Sequence, residues 1–515
     1  MINKVGRELP EYIEGYGKVH PFDGAFAHLG EMSGRAAAPV HSAHPGEPKL
    51  LSSIEAALEK VNLHDGMTVS FHHHLRNGDK VINLVMQAIA AKGIKDIHVA
   101  SSGIFACHAP LVPLIEDGTI TQISVSTFGA GPVAEAISAG KMKKPCILRT
   151  HGGRPRSIET GEMHIDVAFI AAPTCDDQGN MNANGPNACG CLSFSHADAK
   201  HADYVVAVTD NLVPYPCTPI EISEDYVDYV VKVDSIGDPN GIATGAMQVT
   251  TNPARLAIAQ RAADFIDAAG YIKDGFSIQT GVGSISLAVA SKVREKMIAE
   301  NIKGSFGMGG ITGYFVKMNH EGLLRTLFDV QCFDLDAIKD IATNPNHLII
   351  DASQYASPGN KGCAVNQLDV MLLGGFEIDV DFNLNVNTGS NGVIMSSSGG
   401  NADTAAGSKL SIVVSDLMKK GGRCLVKDKV ITVTTPGETV DALVTDKGIA
   451  INPRRQDLID KVKDSGLPLV DIHDLYNMGQ ELGAVNEHPK FGDRIVGVVE
   501  YRDGTVTDVI RQVEE

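Results

Sequence analysis

Nothing in the chain reaches the roughly 18–20 consecutive apolar residues that a membrane-crossing helix needs. Its first twenty residues, MINKVGRELPEYIEGYGKVH, hold no apolar stretch followed by a small-residue cleavage site, so no signal peptide is read there. The nine cysteines are an odd number and lie scattered, with only Cys189 and Cys191 close together as C-x-C. That pattern fits neither a disulfide framework nor a zinc site, and reduced thiols in a cytoplasm are expected. Positive charge is also short, with 44 Lys and Arg against 62 Asp and Glu and a net charge of −18. Such a field repels nucleic acid and anionic lipid, so neither nucleic acid nor membrane is expected as a partner. An anionic ligand would need a locally basic pocket. Tryptophan is absent, which carries no functional information.

What is present is the composition of an enzyme-sized globular protein: 515 residues, 43% hydrophobic. That length allows more than one core. Residues 1–50, rich in Gly, Pro, Ala and His, show no periodicity and are expected to form an irregular arm. From about Leu50 short β-branched runs alternate with helical stretches. Met67–Phe71 and Asp96–Ala100 read as strands, Val81–Ala91 and Pro110–Glu116 as helices. This alternation implies crossover units and mainly parallel sheets in an α/β fold.

The chain also repeats itself. Asp65–Phe71 (DGMTVSF) matches Asp274–Thr280 (DGFSIQT) in pattern, at an offset of 209 residues. Ile165–Ile170 matches Leu368–Leu373, and the match continues from Asp176 and Asn180-Met181-Asn182 to Asp379 and Asn383-Leu384-Asn385, at an offset of 203. Two matches in the same order imply two similar α/β domains, residues 51–240 and 241–515, joined through the Gly- and Pro-rich segment 234–253. In open parallel sheets the ligand crevice lies beyond the carboxyl ends of the strands. The residues that follow each strand are therefore the candidates.

After the first strand stand His72-His73-His74-Leu75-Arg76, four potentially cationic side chains within five residues. They read as a pocket for a carboxylate-rich ligand with Arg76 as clamp. Metal ligation is disfavoured because consecutive side chains on a strand alternate sides, and a solvated loop is the plain alternative. Arg149-Thr150-His151-Gly152-Gly153-Arg154 is a second basic strand end, readable as clamp or loop. Lys141, Lys143 and Lys144 read as a solvated turn. The glycine turn at Gly281-Val282-Gly283 can offer backbone N–H groups to a phosphate or an oxyanion. With Phe306–Gly313 and Ser396–Asp403 it makes three glycine loops, which suggest close backbone contact with something long and polar such as a pantetheine arm, or are ordinary turns. Gly281-x-Gly283 is no dinucleotide fingerprint, because Ser286 stands where a third glycine belongs. Glu377, just beyond an apolar strand, is a candidate nucleophile or base, or a plain loop carboxylate. Cys175 and Cys363 lack a histidine at a recognisable spacing, and a catalytic cysteine is not expected.

Several segments together resemble the α subunits of bacterial citrate lyases, a branch of the family I CoA-transferases: Val69–Asp79 (VSFHHHLRNGD), His151–Arg154 (HGGR), Pro173–Asn180 (PTCDDQGN), Gln279–Ser284 (QTGVGS), Phe382–Ser390 (FNLNVNTGS) and Ser396–Thr404 (SSSGGNADT). The similarity runs from about Leu50 to the C-terminus. It implies two domains of the kind shared by CoA-transferases and ribose-5-phosphate isomerase, and a transferase that exchanges the acetyl group of an acyl-carrier-protein thioester for citrate, releasing acetate. It implies no permanently bound cofactor. The thiol would belong to a dephospho-CoA-type arm on the γ subunit, the acyl carrier protein, with CoA thioesters able to stand in. The β subunit, a citryl-ACP lyase, would be the other partner, with a homo-oligomer inside a cytoplasmic complex.

On that resemblance His72, His73, Arg76, His151, Arg154 and Asn401 are expected to bind citrate, and the loops at Gly281, Gly283, Gly399 and Gly400 to hold the oxyanion. Many related transferases carry a glutamate nucleophile at the strand end matching Phe306–Thr312. This chain has no carboxylate there, which points to direct attack through a mixed anhydride, unless Glu377 substitutes. Alternatives are a CoA-transferase for another short acid such as citramalate, a sugar-phosphate isomerase, or a non-catalytic subunit of such a complex.

Overall fold

The computed structural model describes residues 1–28, 36–42, 45–243, 249–281 and 283–514. Part of the expected linker, and Val282 inside the expected glycine turn, lie outside the described residues.

The first half of the chain supplies strands β1 (Leu50–Leu51), β2 (Thr68–Phe71), β3 (Ile97–Ile104), β4 (Ile120–Phe128), β5 (Cys146–Leu148), β6 (Val167–Ala172), β7 (Tyr204–Thr209) and β8 (Tyr229–Lys232). Its helices include α1 (Val81–Ala91), α2 (Gly153–Glu159) and α3 (His196–His201). The second half supplies α4 (Pro253–Ala268), β9 (Ser277–Thr280), α5 (Ser284–Ala299), β10 (Gly304–Ile311), β11 (Leu324–Cys332), β12 (His347–Ile349), β13 (Val370–Leu373), α6 (Asn401–Gly407), β14 (Leu410–Val414), β15 (Ala442–Val444) and β16 (Ile449–Ile451). A last hairpin, β17 (Phe491–Glu500) and β18 (Val506–Val513), ends the chain.

Two large sheets result. The first runs β18-β17-β5-β4-β3-β2-β6-β7-β8-β1 and the second β12-β11-β10-β9-β13-β14-β15-β16. From β5 to β8 every pair in the first sheet is parallel, and so is every pair from β12 to β15 in the second. The two parallel blocks share one topology. Strands β2, β3, β4, β6, β13 and β14 are buried along almost their whole length; that is why they read as near-continuous apolar runs.

Residues matched in the sequence repeat make the same bonds in both halves. Asp166 Oδ2 accepts the Thr68 N–H at 2.7 Å, and Asp369 Oδ2 accepts the Ser277 N–H at 2.9 Å. Asp176 gathers the N–H and side-chain amide of Asn180, and Asp379 does so with Asn383. Each pair pins a strand start or a turn that the fold needs twice.

One boundary differs from expectation. The hairpin β17–β18 does not join the second sheet, because β17 pairs in parallel with β5 of the first. Its backbone groups complete the edge of the first sheet, so the second sheet's share of the chain stops short of Phe491. The N-terminal arm has only short paired segments, but it is anchored. Phe22 packs edge-on against Tyr501, and the Asn3 side-chain amide donates to the Val506 and Thr507 carbonyls.

In both blocks the chain order reverses beside one strand, β2 in the first and β9 in the second. Crevices open at such switch points. The carboxyl ends of the two sheets face each other, and the halves are stitched there. The His151 N–H donates to the Gly399 carbonyl at 2.7 Å and the Gly399 N–H donates to the Ser126 carbonyl at 3.0 Å. Asp403, wholly buried, accepts the Thr150 hydroxyl at 3.0 Å and the Gly152 N–H at 2.9 Å, with the Arg502 guanidinium 3.5 Å away. Burial holds its carboxyl up at about 6 against the pull of Arg502.

Buried ionic and imidazole groups make the fold sensitive at named points. Arg154 is 2% exposed and forms a two-pronged pair with Asp198 at 2.7 and 2.8 Å. Asp198→Ala leaves that charge buried and unpaired, and is expected to lower unfolding free energy by about 3–5 kcal/mol in urea titrations. Burial also pushes the rings of His72, His98 and His151 down to about 3, and those of His73 and His74 well below their ordinary value. An unfolded histidine protonates near pH ~6.5, so below that pH the unfolded chain binds more protons than the folded one. Stability is then complete above pH ~6.5 and falls as pH drops toward the folded values, on the order of 1–2 kcal/mol per ring at pH 5. Asp403 and Asp508, both raised to about 6 by burial, act in the opposite sense. Asp379 and Asp441, raised by burial, and His108 and His347, raised against burial by the carboxylates bonded to them, also act in that opposite sense. The five strongly depressed rings still set the sign and predict a urea midpoint that drops between pH 7 and pH 5.

Candidate functional site

Between the facing strand ends lies a cavity of about 780 Å³. Residues that follow β2, β3, β4 and β5 form one wall, among them His73, Arg76, Phe105, Gly129 and His151. Residues at the ends of β9, β10, β11, β13 and β14 form the other, including Gln279, Gly310, Phe333, Gly374 and Lys419. Its charged lining is Arg76, Arg255, Lys419 and Lys420 against the single carboxylate Asp416, which pairs with Arg255 at 2.8 Å. An acidic chain has concentrated positive charge at one place.

Arg76 is the centre of the first wall. Its backbone is left-handed, with φ 51°, which costs a non-glycine residue about 1–3 kcal/mol and persists only where surroundings enforce it. The guanidinium carbon lies 5.3 Å from the Phe105 ring centroid and 4.8 Å from that of Phe333. Among the described residues no carboxylate pairs with it, and its Nε has no hydrogen-bond partner. Burial pushes its proton affinity down, to about 10. Phe333 comes this close because Gly310 has no side chain, since a Cβ there would overlap the Phe333 ring.

The three consecutive histidines turn to three different places. His72 Nε2 accepts the Ala171 N–H at 3.1 Å, His73 Nδ1 lies 2.6 Å from Ser102 Oγ, and His74 Nε2 lies 3.0 Å from Ser195 Oγ. His73 reaches the cavity, and His72 does not. His72 is a core residue bonded to β6, not a substrate ligand. His151 lies in the cavity wall with Nδ1 at 3.1 Å from Ser126 Oγ. Both cavity rings stay neutral. Burial is the main cause, followed for His73 by the His151 and Arg76 charges and for His151 by Arg76 and Arg154.

Other expectations need correction. Arg154 lies outside the cavity lining, since Asp198 and the Ala100 and Phe194 carbonyls use its fork. Glu377 is buried outside the lining too. It accepts the Ser390 hydroxyl at 2.7 Å and the Asn385 amide at 3.2 Å, so it braces a turn. The Gly281 N–H donates to the Leu372 carbonyl at 2.7 Å, extending the β9–β13 ladder, and the Gly399 N–H is used on Ser126. Neither is free for an oxyanion. Gly283 and Gly400 also line the cavity, heading α5 and α6, and no described residue accepts from their N–H groups. Asn401 lines the cavity with its amide engaged, donating to the Gly374 carbonyl at 3.0 Å and accepting the Thr435 hydroxyl at 2.7 Å.

Sequence reasoning missed the aromatic frame of Phe105, Phe194 and Phe333, and the lysine at Lys419. Burial lowers Lys419 to about 8, and its Nζ donates to the Gly375 and Phe376 carbonyls. Phe105 and Phe333 each directly follow a strand, so inspecting strand ends for aromatics as well as charges would have found them. The buried Gln279 Oε1, Gln331 Oε1 and the Ser397 and Ser398 hydroxyls also line the cavity without a partner among the described residues. The two hydroxyls can donate to an anionic ligand, whereas the two amide oxygens can only accept, from a donor group on it.

Comparison with known proteins agrees with this geometry. The family model for the citrate lyase alpha subunit matches residues 47–513. The citrate lyase alpha chain of Klebsiella pneumoniae is 48% identical over 467 residues, 90% of this chain and 92% of that one. The Escherichia coli K12 citrate lyase alpha chain is 47% identical over 468 residues, 91% of each chain. A crystal structure from Streptococcus mutans, described as the alpha subunit of citrate lyase in complex with citrate, superposes with a TM-score of 0.95 at 47% identity over the whole of both chains. A malonate decarboxylase alpha subunit from Acinetobacter baumannii shares the fold alone, with a TM-score of 0.62 at 15% identity over 85% of this chain and 90% of that one. An α/β chain with two like parallel sheets, a cationic cavity between them and these relatives at this identity belongs to the family of citrate lyase alpha subunits.

Proposed function

We propose that this chain is the transferase subunit of a citrate lyase, exchanging acetate for citrate on the thioester of an acyl-carrier partner. The observation that carries the reading is Arg76, a half-buried guanidinium that pairs with no carboxylate among the described residues, in a cavity whose lining holds four cations and one paired acid. Arg76 and the His73 ring hold citrate carboxylates from the first wall. Arg255, Lys419 and Lys420 supply counter-charge on the second wall for the phosphates of a dephospho-CoA-type arm, or of CoA in its place. The acidic exterior keeps other polyanions away.

The exchange proceeds by direct attack. A citrate carboxylate oxygen bonds to the acetyl carbonyl carbon, and the carbonyl electrons move onto its oxygen. The Gly283 and Gly400 N–H groups stabilise that oxyanion. Losing one such donor typically raises a barrier by about 2.7–4 kcal/mol. Collapse expels the thiolate and leaves a citryl–acetyl anhydride. The thiolate then attacks the citryl carbonyl, acetate departs, and the citryl thioester remains for the lyase subunit. Closure of the cavity around both acids slows loss of the anhydride to water.

No covalent glutamyl step is needed. At the place where related transferases carry glutamate, Gly309 has φ 95°, and a Cβ there would overlap the Gln279 amide. Asp416, the lone acid in the lining, is bound to Arg255. Citramalate, which shares the hydroxyl and two carboxylates, is the nearest competing substrate.

Purified chain mixed with acetyl-CoA and citrate is expected to form citryl-CoA, read by mass spectrometry. Its absence with an active β subunit present would overturn the reading. Arg76→Ala should raise the citrate KM about 10- to 100-fold, the value of a charged hydrogen bond of about 1.5–3 kcal/mol, with the acetyl-CoA KM changed far less. Glu377→Gln should retain kcat within a few-fold. Borohydride or hydroxylamine trapping of the wild-type chain with acetyl-CoA should label no glutamate, whereas a labelled Glu377 peptide would overturn direct attack.

A further inference from the structure

His73 and His151 stand side by side in the cavity wall, ring centroids 6.1 Å apart and planes 11° from parallel. Phe194 packs against both, at 4.7 and 4.8 Å. Their hydrogen-bond partners are not equivalent. Ser126 Oγ donates to the Ser102 carbonyl at 3.0 Å. A hydroxyl has one proton, so toward His151 Nδ1, 3.1 Å away, it can only accept. The ring proton of His151 is therefore on Nδ1, and Nε2 is a bare lone pair.

Around His73 the same counting gives the opposite tautomer. Ser102 Oγ accepts the His73 backbone N–H at 3.0 Å. The Ser102 proton has no other acceptor among the described residues, so it fills the 2.6 Å contact to His73 Nδ1, which accepts it. Nε2 of His73 then carries the ring proton. One wall thus offers a donor and an acceptor from neighbouring rings.

A carboxylate has no hydrogen to give, and a lone pair facing it is repulsive. A protonated carboxyl is disfavoured beside the Arg76 guanidinium. An acceptor in a site for anions therefore needs a different donor on the ligand. Gly399, with φ 54°, keeps the space in front of it open, and a Cβ there would stand 3.6 Å from His151 Nε2. We propose that His151 Nε2 reads a hydroxyl group on the acid, so that the site selects a hydroxy-polycarboxylate over its deoxy counterpart, while His73 Nε2–H and Arg76 hold the adjoining carboxylate. This deepens the citrate reading and rests on it. The selection works because a buried acceptor left without its donor loses a hydrogen bond that water had supplied before binding.

The test uses the full chain with acetyl-CoA and compares citrate with tricarballylate, which differs by the hydroxyl alone. The wild type should favour citrate by about 100-fold or more in kcat/KM. His151→Phe keeps the edge-on ring contact with Phe194 and removes the acceptor, and should cut that preference to below tenfold, mainly through loss of citrate turnover. A wild type that treats both acids alike, or a preference unchanged in His151→Phe, overturns the inference and leaves citrate exchange standing. No exchange with citrate at all overturns the functional reading, and the inference with it. A measurement independent of the variant's folding is nitrogen NMR of ¹⁵N-histidine-labelled wild type. Its expected result is a neutral Nδ1–H ring at His151 and a neutral Nε2–H ring at His73, and an Nε2–H tautomer at His151 overturns the inference.

Discussion

A guanidinium half-buried between two aromatic rings and given no carboxylate is the constraint on which the rest of this molecule turns. Partial burial carries a share of the several kcal/mol that taking an ion out of water costs, and Arg76 adds a left-handed backbone. Two aromatic faces recover part of this as cation–π attraction, but neutralise nothing. The chain around it is strongly anionic, yet the cavity lining is not. A fold holds such a charge ready when a ligand carboxylate completes it. The neutral rings of His73 and His151 belong to the same economy of charge: burial and Arg76 keep them uncharged, so they act through direction of hydrogen bonding.

The cavity itself is a consequence of duplication. Each half builds one parallel sheet whose chain order reverses beside a central strand, and each reversal leaves a crevice at the carboxyl ends. Placing two such ends face to face turns two shallow crevices into one deeper cleft. Asp403 and the Gly399 backbone make the joint, tying the loop before α6 to the turn after β5. Gly399, which looks like a catalytic glycine in isolation, serves this joint, which is why its N–H group is committed. The C-terminal hairpin crosses back to the first sheet, and Arg502 beyond β17 reaches Asp403. The two halves are therefore laced together.

The α/β class, the repeat and most strand positions were legible because burial on both faces forces apolar runs, and turns force Asp and Gly between them. Val81–Ala91 is helical as its pattern predicts. Arg76, His73 and His151 were legible as basic residue types at strand ends, although both rings stay neutral. Arg154 and His72 carried the same signal and proved to be internal. Nothing in their neighbours along the chain separates a guanidinium that meets Asp198 from one that meets nothing, because Asp198 lies 44 residues away. Glu377 misled for the same reason: its partners Ser390 and Asn385 fold back on it only in three dimensions.

The sequence by itself determined the class of fold, the doubling, the sparseness of positive charge and the short list of places where an anion could bind. Those follow from local periodicity and composition, which act between near neighbours. Tertiary structure alone decided which cation stays unpaired, which glycine amides are already used, and which nitrogen of each imidazole meets a serine hydroxyl. Those properties depend on partners brought from tens to hundreds of residues away. Electrostatic and hydrogen-bond satisfaction is a property of the packed neighbourhood and not of the residue.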